Sequence, residues 1–167
     1  VIFTLGGIVG AQLASTPALA TLPLFVMVVG TALTTVPAAT LMQRVGRRLG
    51  FASAALAAAL ASLLAAYGLE RGSLILFSLG ALGIGANNAF VQQYRFAAAE
   101  SVASASASRA ISLVLMGAIG GALVGPQLAT WGDGSEASVH VVAMLVLAVL
   151  YAAVAVLALG LRQTASD

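Results

Sequence analysis

Few side chains in this sequence can do chemistry, and those that can are gathered in small groups. Arg44, Arg47 and Arg48 fall within five residues of the segment "LMQRVGRRLGF" (41–51), and no other charge occurs between Val1 and Leu69. Asn87, Asn88, Gln92, Gln93, Tyr94 and Arg95 form a second polar group. His140 is the only histidine, and there is no cysteine. A single imidazole with no carboxylate or second histidine beside it is a poor basis for metal binding or acid–base catalysis, so it reads as an interfacial residue. Without cysteine there is no thiolate metal site, disulfide or cysteine nucleophile. G-x-S-x-G, H-E-x-x-H and P-loop motifs are absent as well. The sequence therefore reads as a non-enzyme, with no catalytic residue, metal or cofactor expected. All seven basic residues are arginine, and they are too scattered for a phosphate-tracking stripe, so nucleic acid is not an expected partner.

The elements that carry these groups are set by composition. The chain has 167 residues, 61% hydrophobic and only 7% charged, too little charge to cover a water-facing surface. An all-α, polytopic membrane protein follows, with the lipid bilayer as a partner. A helix needs about 20 apolar residues to cross about 30 Å of hydrocarbon. The uncharged runs, with the proline-containing "STPALATLP" dividing the first, predict six spans: about 1–14, 21–42, 49–69, 73–97, 109–130 and 138–161. The first is short for a span and reads as the remainder of a longer helix. The chain is therefore expected to be part of a longer protein.

Orientation follows from arginine. Arg44, Arg47 and Arg48 lie between the second and third spans, Arg95 and Arg109 flank the link between the fourth and fifth, and Arg162 follows the sixth, six of the seven arginines, whereas Glu70 with Arg71, and Asp133 with Glu136, lie on the opposite side. The positive-inside rule makes the Arg-rich side cytoplasmic, with both termini on it and the protein integral to the plasma (inner) membrane. Trp131 falls at the opposite boundary, where an indole keeps its N–H wet.

Polarity differs between spans. The third is nearly all Ala and Leu, and the sixth is Val, Leu and Ala, so both are expected to face lipid. The fourth carries the Asn and Gln residues, and the second carries Thr31, Thr34, Thr35 and Thr40, so these two should face protein or a wet cavity. Asn88, Gln92 and Arg95 share a helix face at i, i+4 and i+7. They read either as a solute-contacting strip or as interface markers, with Arg95 snorkelling to the headgroups. The candidate cavity-lining set is Gln12, Asn87, Asn88, Gln92 and Arg95. "FTLGGIVGAQ" (3–12) resembles "FSLGALGIGAN" (77–87) with one inserted residue. That pairs the first and fourth spans in a 3+3 inverted repeat, or else reflects a shared membrane composition. In the fifth span Gly117, Gly121 and Gly125 make a smooth stripe ending at Pro126, suited to close helix packing and to bending.

The arginine segment closely resembles the loop between the second and third helices of the major facilitator superfamily, roughly G-x-L-A-D-R-x-G-R-R-x-x-L/F. Ala39, Leu41, Met42, Gln43, Arg44, Gly46, Arg47, Arg48 and Phe51 stand at its positions, with Ala39 for the leading Gly and Gln43 for the acidic residue. Gly121-x3-Gly125-Pro126 partly matches the helix-5 motif of that superfamily's antiporter branch, though Ser112, Ala129 and Thr130 stand at other small positions. Gly83 and Gly85 fit a helix-4 pattern whose arginine is replaced by Leu79. The resemblance spans essentially the whole chain and implies the N-terminal six-helix half of a twelve-helix transporter. It also implies a second six-helix bundle as partner, and a latch pair between Arg47 and Glu100 at the cytoplasmic ends of two helices. The implied function is secondary transport of a small-molecule solute by alternating access, leaning towards efflux or antiport. No Asp or Glu lies mid-span, so a proton-coupling carboxylate would have to come from elsewhere. The alternative is a non-transporting six-helix scaffold or assembly protein, which has no need of four amides along one helix.

Overall fold

The computed structural model describes residues 2–14, 16–100, 106–129 and 136–160, and these are helical apart from short links. The order is α1 (Ile2–Leu13), a 3₁₀ turn (Pro17–Leu19), α2 (Leu22–Glu70), α3 (Leu74–Gln92), α4 (Tyr94–Glu100), α5 (Ala107–Ala129) and α6 (Glu136–Gly160). Leu-, Val- and Ala-rich runs with no carboxylate to solvate satisfy their backbone groups internally, which in an apolar medium means helix.

Among the described residues, four segments are long and apolar enough to cross a membrane: Pro17–Glu70, Leu74–Ala99, Ala107–Gly125 and Val139–Gly160. Six spans were expected, and two features account for the difference. The 12 residues of α1 rise only about 18 Å, short of the hydrocarbon thickness. The second and third expected spans are joined in one 49-residue element, broken only at Gly46, whose φ of 80° and ψ of 161° are not helical. That backbone region is essentially confined to glycine. The chain doubles back there: Ala38 and Ala54 share one buried cluster, and a Cβ placed on Gly50 would lie 2.9 Å from the Met42 side chain. In a straight helix residues 38 and 54 would be about 24 Å apart. Thus α2 has a first arm (22–45) and a second arm (47–70).

Both arms pack along α3, and the second also packs along α6. The second arm shows how an Ala/Leu helix sorts its faces. Ala55, Ala58, Ala59, Ala65 and Ala66 are buried, whereas Leu56, Leu60, Leu63 and Leu64 point outward. Small residues let backbones approach, and leucine covers the surface left to lipid. The largest core cluster joins Leu5 and Val9 of α1, Ala65 and Ala66 of α2, Phe77 of α3, and Ala143 and Met144 of α6. At the Arg-rich end Phe51, Ala52 and Ala158 pack with Met42, Tyr94 and Ala97. There the Phe51 and Tyr94 rings meet edge to face at 4.5 Å. By contrast, α5 rests mainly on α4 and leaves Leu113, Met116, Ile119 and Leu123 exposed.

A close seam runs between the first arm and α3. A Cβ on Gly85 would collide with the Met27 carbonyl oxygen, and one on Gly30 with the Leu82 carbonyl oxygen. Thr31 Oγ1 spans the seam, donating to Gly85 O at 2.8 Å, with Met27 O at 3.1 Å as its in-helix alternative. Two exposed threonines of the first arm satisfy their hydroxyls within their own helix: Thr35 donates to Thr31 O at 2.8 Å, and Thr40 to Pro37 O at 2.9 Å.

Candidate functional site

Three described polar side chains, Gln43, Arg47 and Gln93, meet at the Arg-rich end. A cleft of about 490 Å³ opens there, lined by Ala39, Met42, Gln43, Arg47, Gln93 and Phe96. It exists because two departures from straight helix face each other. One is the Gly46 bend in α2. The other is the turn at Gln93, where the Gln93 N–H donates to Phe90 O at 2.9 Å and α3 gives way to α4. Gln43 and Arg47, on either side of Gly46, reach the cleft from α2, and Gln93 and Phe96 reach it from the α3–α4 junction.

The structure separates the loop residues read from sequence. Arg47 lines the cleft and makes a further interaction within the chain. Arg44, Arg47 and Arg48 are all exposed, and Arg44 and Arg48 do not line the cleft. Glu100 closes α4, but its side chain lies outside the described residues, and so does the Arg47–Glu100 pair.

The candidate cavity-lining residues are not brought together as one strip. Gln12 is exposed in the last turn of α1, beside Leu13, which, like Leu69, packs against the core cluster at the end of the fold away from Arg44, Arg47 and Arg48. Asn87 is 4% exposed and lies beside the Tyr151 hydroxyl of α6, with its Oδ1 lacking a partner among the described residues. Asn88, one residue on and about 100° around the helix, is half-buried, and Gln92 and Arg95 are exposed. Gln92 ends α3 and Arg95 belongs to α4, so the i, i+4, i+7 series crosses a helix boundary. In α5, Gly117 and Gly121 have no atom within 4 Å of where a Cβ would stand, and Gly125 is buried. The side chain of Pro126 and all of Trp131 lie outside the described residues. His140, read as interfacial, is 7% exposed with Nδ1 unpartnered among the described residues. No group of three or more His, Cys, Asp or Glu residues arranged to hold a metal occurs among the described residues.

Sequence reasoning missed the Gly30–Gly85 seam, the Asn87–Tyr151 contact and the part of Gln93 and Phe96 in the cleft. The small residues Gly80, Gly83 and Gly85 in α3 were a usable signal for the seam, since closely spaced glycines mark backbone approach. Nothing in the sequence pairs Asn87 with Tyr151, 64 positions away.

Comparison with known proteins adds a different kind of observation. The chain is 41% identical over 160 residues to the riboflavin transporter RfnT of Brucella anthropi. The chain is similar to a membrane transporter. The alignment takes in 90% of this chain and 40% of the relative, so the chain spans well under half of that protein's length. The relative is named for transport and not for an enzymatic reaction. No protein-family model matches the chain, and no solved structure does.

Proposed function

We propose that this chain forms one six-crossing half of a major-facilitator-type transporter that moves a small solute, riboflavin or a close flavin analogue, by alternating access. The observation that carries this is the 41% identity over 160 residues to a riboflavin transporter. The six crossings are α1, the two arms of α2, α3 with α4, α5 and α6. The doubling back at Gly46 supports counting α2 twice. A second bundle would lie in the remaining length that the relative has beyond the aligned segment, and it would supply the other wall of the cavity. On this reading Asn88 and Gln92 offer amide donors and acceptors that match the imide edge of an isoalloxazine ring, and Arg47 with Glu100 ties two helix ends together when that end is closed.

The test is flavin flux in proteoliposomes holding the full-length protein, loaded with riboflavin inside or outside. Saturable flux in either direction, competed by unlabelled riboflavin, is expected. The partial antiporter motif at Gly121, Gly125 and Pro126 favours export. The absence of saturable flux with a correctly folded protein would refute the reading. A scaffold reading draws on Asn87, which packs against α6. Asn88 and Gln92 do not follow it, since they stay half-buried and exposed.

A further inference from the structure

We propose that the cleft beneath the Gly46 bend binds the phosphate of an anionic membrane lipid, with Arg47 as the side chain that holds it. Among the described residues, the cleft is lined by one guanidinium, two primary amides and no carboxylate. Arginine carries five N–H donors in a planar fork that matches a phosphate, and each glutamine adds two donors. Arg47 already makes an interaction within the chain, and five donors allow it a second partner. Arg44 and Arg48, exposed on either side of it, add to the positive potential at the mouth. The described acidic side chain on α2, Glu70, closes the other end of the second arm, about 35 Å away along the helix.

Two observations favour a lipid phosphate over a free one. The bend joins two arms that each have the length of a crossing, which places the cleft at the level of the headgroups. Its surroundings are apolar. Leu41, Val45 and Leu49 are exposed beside the arginines, and Phe96 is 60% exposed on the facing wall. Acyl chains can lie over these side chains while the headgroup enters the cleft. Basic pockets between crossing helices hold lipid headgroups in this way. The proposal rests on the reading that both arms of α2 cross a bilayer, which labelling of single-cysteine variants at the exposed positions 45 and 71 from either side tests separately.

The experiment uses the full-length protein, delipidated and placed in nanodiscs of phosphatidylcholine with a fixed fraction of phosphatidylglycerol. Mass spectrometry of the protein-retained lipid reads the enrichment of phosphatidylglycerol over its bulk fraction. A several-fold enrichment is expected in the wild type. Arg47→Gln should bring it close to the bulk fraction, Arg47→Lys should keep part of it, and Gln93→Leu should lower it without removing a charge. Arg48→Gln should leave most of it, and millimolar inorganic phosphate should not displace the lipid. Circular dichroism and gel filtration confirm that each variant is folded. No enrichment in the wild type would overturn the proposal. So would equal losses in Arg47→Gln and Arg48→Gln, which would mean surface charge alone, or displacement by inorganic phosphate, which would mean a free-anion site. Flavin flux in the same preparations is a separate readout: lost enrichment with intact flux leaves the transport reading standing.

Discussion

Gly85→Ala isolates the seam between the first arm of α2 and α3. In an open helix this change stabilises by about 1 kcal/mol, because glycine has the greater backbone freedom to lose. At Gly85 the new methyl would meet the Met27 carbonyl oxygen, with further atoms of Met27 within 3.0 Å. The obstacle is backbone, which cannot turn aside as a flexible side chain would. Overpacking of this kind costs about 1–3 kcal/mol. Separation of the helices also stretches the Thr31 Oγ1–Gly85 O bond of 2.8 Å, which contributes about 1 kcal/mol. The balance is a net loss of about 2 kcal/mol, roughly 30-fold in the folding equilibrium. Reversible denaturation of the protein in mild detergent, followed by far-ultraviolet circular dichroism, measures it. Thr31→Val in the same background separates the two contributions, since the hydrogen-bond loss cannot be counted twice. A Gly85→Ala protein as stable as the wild type, or more so, would refute the close-seam reasoning.

Four further outcomes follow from the same structure. Thr31→Val alone should cost about 1 kcal/mol, whereas Thr35→Val, whose hydroxyl bonds only its own helix and is exposed, should stay within about 0.5 kcal/mol of wild type; the same denaturation assay checks both. Gly46→Ala should cost about 1–3 kcal/mol because φ of 80° with ψ of 161° excludes a Cβ, and limited proteolysis at the bend should accelerate. Tyr151→Phe should cost about 1–3 kcal/mol by leaving the buried Asn87 amide without its partner, and Asn87→Leu added to it should recover part of the loss in a double-mutant cycle. Gly117→Ala should be neutral or stabilising in residues 1–167 alone, where nothing stands within 4 Å of the site, but destabilising in the full-length protein if a second bundle covers α5.

The sequence by itself determined the class and the helices. A chain that is 61% hydrophobic and 7% charged has too little charge to cover a water-facing surface, and uncharged runs of about 20 residues can satisfy their backbone in lipid only as helix. It also marked the arginine segment as the place where the chain emerges between two apolar stretches, because charge is costly in hydrocarbon. Only the tertiary structure decided what each polar side chain faces. Asn87 and Asn88 are adjacent in sequence, yet one turns into α6 and the other stays half-buried, because a step of one residue rotates a side chain by about 100°. The Gly46 bend was equally hidden: glycine permits a positive φ but does not require one, and the packing of both arms against α3 selects it. The cleft belongs to neither helix alone. It arises where the bend in α2 meets the turn at Gln93, and a contact between residues about 50 positions apart leaves no local periodicity to read.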